Sequence, residues 1–164
     1  MWIRTETQDD HAAIRELLGE AFAESDGNGR IEQRIVDALR EDGELSLCLV
    51  ADIDGRIAGV AVFSPVAIDG ARSWYGLGPV AVAPQDQGNG VGTALIRVGL
   101  AELAELGAAG CVVLGEPAYY ARFGFRNDGE LRYADAPAQY FQSLAFADDG
   151  AKGDVRYHAS FSTH

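Results

Sequence analysis

The sequence predicts a single α/β domain whose helices lie over a mixed sheet. Three observations predict it. Apolar residues recur with period two and period 3.6 in the order β-α-α-β-β-β-α-β-α-β. The length, 164 residues, fits one domain at roughly 100–200 residues each. The composition, 48% hydrophobic and 23% charged, is that of an ordinary globular protein. No repeat, low-complexity tract or linker divides the chain, so the domain is expected to span residues 1–164.

Ile3 to Glu6 reads as a short strand. Thr7-x-x-Asp10 follows as a helix start, with Thr7 as cap and acids in the first turn. Ile14, Leu17, Leu18, Ala21 and Phe22 then mark one buried helix face. Ser25 to Gly29 breaks that helix, and Ile31, Ile35, Ala38 and Leu39 give a second one. Leu45 to Asp52 is a strand, Asp54-Gly55 a hairpin turn and Ile57 to Ala67 the next strand. Arg72 runs toward Val82, interrupted by Gly76, Gly78 and Pro79, which predicts a bulge or a splayed edge. Val91 to Leu106 is a helix closed by Gly107, and Cys111 to Leu114 is an apolar strand. Pro117 to Arg122 is a short helix begun by proline, and Asp154 to Phe161 a last strand. That last strand offers an edge through which two chains could pair as a homodimer.

Lys plus Arg number 13 and Asp plus Glu 25, a net charge of −12. A nucleic-acid or anionic-membrane partner is not expected, because such binders carry a basic surplus. No window approaches the ~18 apolar residues of a membrane helix. Met1 to Glu6 shows no signal-peptide stretch, so a cytoplasmic location is expected. Cys48 and Cys111 each sit in an apolar run and read as buried thiols of a reducing compartment. No Cys-x-x-Cys or His-x-x-x-His pair suggests a metal, and no Gly-x-Ser-x-Gly elbow suggests a serine hydrolase.

The most informative segment is Gln87-Gly88-Asn89-Gly90-Val91-Gly92-Thr93, between a strand and a helix. The first turn of a helix has orphan N–H groups and partial positive charge. Gly88, Gly90 and Gly92 let a phosphate approach those amides closely. A pyrophosphate would be held there by amides alone, which suits a chain whose one lysine is Lys152. A Walker A loop is absent, since no Gly-Lys-Ser/Thr occurs. A dinucleotide fingerprint remains a rival, with Gly88-x-Gly90 as its turn and Glu116 as its ribose carboxylate. Against it, Ala83 to Gln87 separates the turn from its strand.

Gln87 to Gly92 resembles the Gln/Arg-x-x-Gly-x-Gly/Ala loop of the GCN5-related N-acetyltransferase (GNAT) superfamily. Tyr120-Ala121-Arg122-Phe123-Gly124-Phe125 resembles that family's late Tyr-x-x-x-Gly-Phe signature, and the order of elements matches from Ile3 to about Phe125. Gly115 to Phe125, with Arg156-Tyr157-His158, further resembles its bacterial YhbS-like subgroup.

The resemblance implies a mostly antiparallel central sheet with helices on both faces and splayed fourth and fifth strands. It implies acetyl-CoA as acyl donor. Gln87, Gly88, Asn89, Gly90, Val91, Gly92 and Thr93 would hold its pyrophosphate, and the backbone of Val80, Ala81 and Val82 its pantetheine arm. A backbone N–H at Val80 or its neighbour would stabilise the oxyanion. Tyr120 would protonate the departing thiolate; as an alternative it is an aromatic packed beside Tyr119, Phe123 and Phe125. The base is left open among Glu116, Glu32 and water. Many family members place an Asn before the tyrosine, and the short Gly115-Glu116-Pro117 connection lacks it. The acceptor would be an amine of a small molecule or a protein; the acidic balance favours cations such as polyamines, aminoglycosides or a basic protein terminus. A CoA-binding module without chemistry and a nicotinamide-dependent oxidoreductase are the alternative functions.

Overall fold

The computed structural model describes residues 1–162. Its elements in chain order are β1 (Trp2–Thr5), α1 (His11–Ala21), α2 (Arg30–Glu41), β2 (Leu47–Ile53), β3 (Arg56–Ile68), β4 (Ala71–Val82), α3 (Val91–Glu105), β5 (Gly110–Leu114), α4 (Pro117–Tyr120), β6 (Leu131–Arg132), β7 (Phe141–Ala145) and β8 (Gly153–Arg156). The open sheet runs β1-β2-β3-β4-β5-β7, and β8 pairs with β3 and β6. Pairing along that path is antiparallel except between β4 and β5, which run parallel.

Side-chain alternation on the central strands divides the core. Leu49, Ala51, Ala61 and Phe63 face α3, where Leu95, Ile96, Leu100 and Leu103 cover them. Cys48, Val50, Val60 and Val62 point the other way, onto Ile14, Leu17 and Leu18 of α1 and Ile35, Val36 and Leu39 of α2. Helices therefore cover both faces, as the sequence predicts. A third cluster, Ile68, Trp74, Val112, Leu131, Phe141 and Val155, is closed by the C-terminal segment.

Two expectations are corrected. The segment after Phe125 holds the strands β6 and β7, which the sequence reading leaves unassigned. The last strand is also shorter than the expected span from Asp154 to Phe161. It ends at Arg156, and Ala159–Phe161 is a 3-10 turn. Ala67 and Ile68 of β3 take one edge of β8, and Leu131 and Arg132 of β6 take the other. The edge expected to serve a homodimer is therefore used within the chain.

The entry into α1 is pinned electrostatically. Arg4 donates two hydrogen bonds to Asp10, at 2.7 and 3.1 Å, and the Thr7 N–H donates a third at 2.7 Å. The hydrogen bonds from Arg4 lead in holding the Asp10 carboxyl down to about 2. A carboxyl depressed in the folded state stabilises it fully above the ordinary pKa near 4, and that contribution is lost as pH falls through about 2. Asp10→Asn should lower the melting temperature at pH 7, and the difference from wild type should shrink between about pH 4 and pH 2. Thermal melts of both proteins across that window check this.

Candidate active site

The site begins where two strands part. The β4–β5 register runs from Trp74↔Gly110 to Leu77↔Val113 and stops. The β4–β3 register continues past it, through Ala61↔Val80 and Val60↔Ala81 to Gly59↔Val82. Pro79 brings no N–H to this stretch. The β5-facing side of β4 beyond Leu77 thus opens into a cleft, with one cavity at each end.

The first cavity, about 300 Å³, lies against the glycine-rich turn and includes Val82, Gly88, Gly90, Tyr119 and Arg122 in its lining. Gly88 and Gly90 stand at φ +81° and +82°, a left-handed backbone open to glycine at little cost. No atom lies within 4 Å of where a Cβ on either would project. The turn therefore leaves bare space in front of the first amides of α3, at Val91, Gly92 and Thr93. Gln87 donates its side-chain N–H to the Val82 carbonyl at 3.2 Å and so ties the turn to the end of β4. Asn89 is exposed and lines neither cavity. Asp86 would repel an anion, but Arg56 grips it with both Nη atoms and keeps its carboxyl below the usual range.

A 3-10 turn, Pro84–Asp86, separates β4 from the glycines. A dinucleotide turn leaves its strand directly, so this geometry does not match one. Arg122 is the residue that sequence reasoning missed at the loop. Its guanidinium lies 4.3 Å from the centre of the Tyr119 ring, and its Nε donates to the Tyr119 carbonyl at 2.8 Å. The Tyr119 hydroxyl reaches Thr93 Oγ1 at 3.1 Å, which joins α4 to the first turn of α3. The cavity at the glycine turn therefore has one cation, Arg122, in its lining beside the first amides of α3.

The second cavity, about 330 Å³, lies at the other end of the cleft. Val80, Tyr120 and Glu32 are among its lining. Tyr120 is set by its neighbours. Its ring meets Tyr119 edge-on at 5.0 Å and Phe125 at 5.9 Å. A Cβ on Gly115 would lie 2.3 Å from the Tyr120 ring, so only glycine leaves room for it. Burial, more than any neighbour, pushes the Tyr120 hydroxyl up to about 12, so it stays protonated at neutral pH.

The two carboxylates weighed as bases separate here. Glu116 is exposed at the start of α4 and lines neither cavity. Its carbonyl accepts the Tyr119 and Tyr120 N–H groups, each at 3.1 Å. Glu32, in the first turn of α2, lines the second cavity, and its Oε1 is buried with no hydrogen-bond partner among the described residues. Ala81 packs its side chain into the core under α1 and α2, so it meets the cleft only through its backbone.

The parted strands, the glycine turn at a helix start and the tyrosine beside the opening are together the layout of an acyltransferase. Residues 44–127 match the acetyltransferase (GNAT) domain family. Over 99% of both chains, the sequence is 40% identical to an Escherichia coli (strain K12) protein called uncharacterized N-acetyltransferase YhbS. The crystal structure of Escherichia coli YhbS in complex with CoA superposes with a TM-score of 0.90, covering 98% of this chain and 91% of that one. A GNAT family acetyltransferase from Brucella melitensis, crystallised with acetyl-CoA, is 49% identical over 98% of this chain and 97% of that one, with a TM-score of 0.85. The chain belongs to the GNAT acetyltransferase family.

The seat of the Tyr120 ring can be tested alone. Gly115→Ala should cost about 1–3 kcal/mol, the usual price of overpacking. Urea unfolding should show a lower midpoint with the slope unchanged.

Proposed function

We propose that this protein transfers the acetyl group of acetyl-CoA directly to a primary amine. The observation that carries this reading is the cleft between β4 and β5, which leads from a bare helix N-terminus to the Tyr120 cavity. The amides of Val91, Gly92 and Thr93 and the cation of Arg122 suit the coenzyme's pyrophosphate, with Gln87, Gly88, Asn89 and Gly90 shaping the turn around it. The β4 backbone from Val80 through Ala81 to Val82 suits the pantetheine arm. Both buried cysteines fit a reducing, cytoplasmic setting.

The chemistry follows from the groups at the inner end. The acceptor's ammonium first gives a proton to a carboxylate or to water. Its nitrogen then attacks the thioester carbonyl carbon. A backbone N–H at Val80 or its neighbour stabilises the oxyanion. The carbonyl re-forms as the carbon–sulfur bond breaks, the sulfur takes a proton from the Tyr120 hydroxyl, and the nitrogen gives its surplus proton to the Tyr120 oxygen, which restores the phenol. The products are an acetamide and a free thiol. Tyr120 suits the role because its raised pKa keeps the proton in place until a thiolate appears. Of the two carboxylates, Glu32 lies at the cavity, whereas Glu116 supports α4 through its carbonyl.

Two variants test the donor site and the acid. Gly90→Glu places an anion where the phosphates lie, so calorimetry should show acetyl-CoA binding collapse in a protein that still unfolds cooperatively. Unchanged affinity would place the coenzyme elsewhere. Tyr120→Phe keeps the ring and removes the proton. Turnover at saturating acetyl-CoA should fall about 10²–10⁴-fold, while the KM for acetyl-CoA moves far less. Wild-type turnover in the Phe variant would leave Tyr120 as packing alone.

A further inference from the structure

The cavity beside Tyr120 and Leu114 draws its other walls from four separate parts of the chain. Phe22 comes from the end of α1, Glu32 and Ile35 from α2, and Leu77 to Val80 from β4. Tyr157 and Phe161 come from the C-terminal segment. Its volume of about 330 Å³ is at the small end for ligand sites, which run from about 300 to 1,000 Å³.

The walls are held before any ligand arrives. His158 Nε2 meets Asp42 Oδ2, just after α2, at 2.7 Å, which fastens the C-terminal segment to α2. The Tyr157 and Phe161 rings meet at a tilt of 55° with centroids 5.1 Å apart. The Tyr157 ring also packs against β4 at Gly76, where a Cβ would come within 2.7 Å of it.

Two of these wall residues each carry a polar atom that stands out. Glu32 Oε1 and the Tyr157 hydroxyl are both buried with no hydrogen-bond partner among the described residues. An unmatched buried carboxylate oxygen or hydroxyl costs free energy that a ligand group can recover. Burial pushes the Tyr157 hydroxyl well above the usual tyrosine value, so it is a neutral donor seeking an acceptor. Glu32 is the one charged side chain in the lining, where no Lys, Arg or His stands. The rest of the lining is apolar apart from Tyr120.

We propose that the acceptor is a small apolar monoamine with one neutral oxygen, its ammonium bound by Glu32 and its oxygen by the Tyr157 hydroxyl. This rests on the acetyl-transfer reading above and narrows it. A carboxylate on the acceptor would meet no cation and would face Glu32. A second ammonium, as in a polyamine, would be desolvated with no partner. The apolar body would lie against Phe22, Ile35, Pro79 and Phe161. The net charge of the whole chain therefore does not choose the acceptor; the one local carboxylate does.

The test is a comparison of four amines with the full chain: 2-phenylethylamine, phenylalaninol, phenylalanine and spermidine. Thiol release from acetyl-CoA should give phenylalaninol a kcat/KM at least about tenfold above phenylalanine and spermidine. Glu32→Gln should lower kcat/KM for phenylalaninol by about 10–100-fold. It should also weaken phenylalaninol binding to the CoA-saturated protein in calorimetry, with the KM for acetyl-CoA within about twofold of wild type. Tyr157→Phe should cut the phenylalaninol to 2-phenylethylamine ratio of kcat/KM by about tenfold. A preference for spermidine or phenylalanine overturns the proposal, and so does a Glu32→Gln variant that handles phenylalaninol like wild type. Either result leaves acetyl transfer standing. A protein that binds acetyl-CoA but releases no thiol with any of the four amines overturns this proposal alone; one that binds no acetyl-CoA overturns the acetyl-transfer reading and this one with it.

Discussion

Everything in the functional half of this molecule depends on where β4 leaves β5. Backbone groups inside a sheet need partners, and a sheet that stayed zipped would offer a ligand nothing. Four paired positions, Trp74 to Leu77, are enough to anchor β5 and its downstream α4. Beyond them β4 keeps β3 on one side only, and the other side becomes a cleft wall. The glycine turn lies at one end of that wall and Tyr120 at the other. The unzipping thus sets the distance between the bare helix start of α3 and the Tyr120 hydroxyl.

Electrostatics reinforces the division between the two ends. The chain is strongly acidic, and several of its arginines are committed to carboxylates: Arg4 to Asp10, Arg40 to Glu6, Arg56 to Asp86. Pairing Asp86 removes a repulsive charge from beside the loop. Arg122 is instead stacked on Tyr119, with no carboxylate among its recorded contacts. At the other end Glu32 is the one charged side chain in the lining. A guanidinium and a carboxylate, Arg122 and Glu32, therefore stand at opposite ends of one cleft.

Much of the fold is legible in the sequence because the signals are local. The apolar spacing of Ile14, Leu17 and Leu18 reports a helix face directly, and the glycine turn reports the start of α3. Gly78 and Pro79 announce a disturbed strand before any partner is known. The later strands are harder. Phe141-Gln142-Ser143-Leu144-Ala145 lacks clean alternation, because Gln142 is buried and donates to the Gly115 carbonyl at 3.1 Å. Its status as a strand comes from β5, about thirty residues earlier. The site divides in the same way. Tyr120 and the loop lie in motifs with recognisable spacing. Arg122 sits inside one of those motifs, yet its reach to the loop appears only once α4 is folded against α3. The contrast between Glu32 and Glu116 is likewise tertiary: the carboxylate next to the motif faces solvent, and the one on a distant helix enters the cavity.

The clasp between His158 and Asp42 bears on how such a protein diversifies. The stretch that matches the GNAT domain family, residues 44–127, holds the cleft, the loop and Tyr120. The walls around Glu32 and Tyr157 come from the two flanks outside that stretch, and the clasp joins them over the shared middle. Substitutions in the flanks can reshape one chamber while the other keeps its form. The chamber beside Tyr120 is thus a joint product of both ends of the chain, closed across a middle that supplies the cleft.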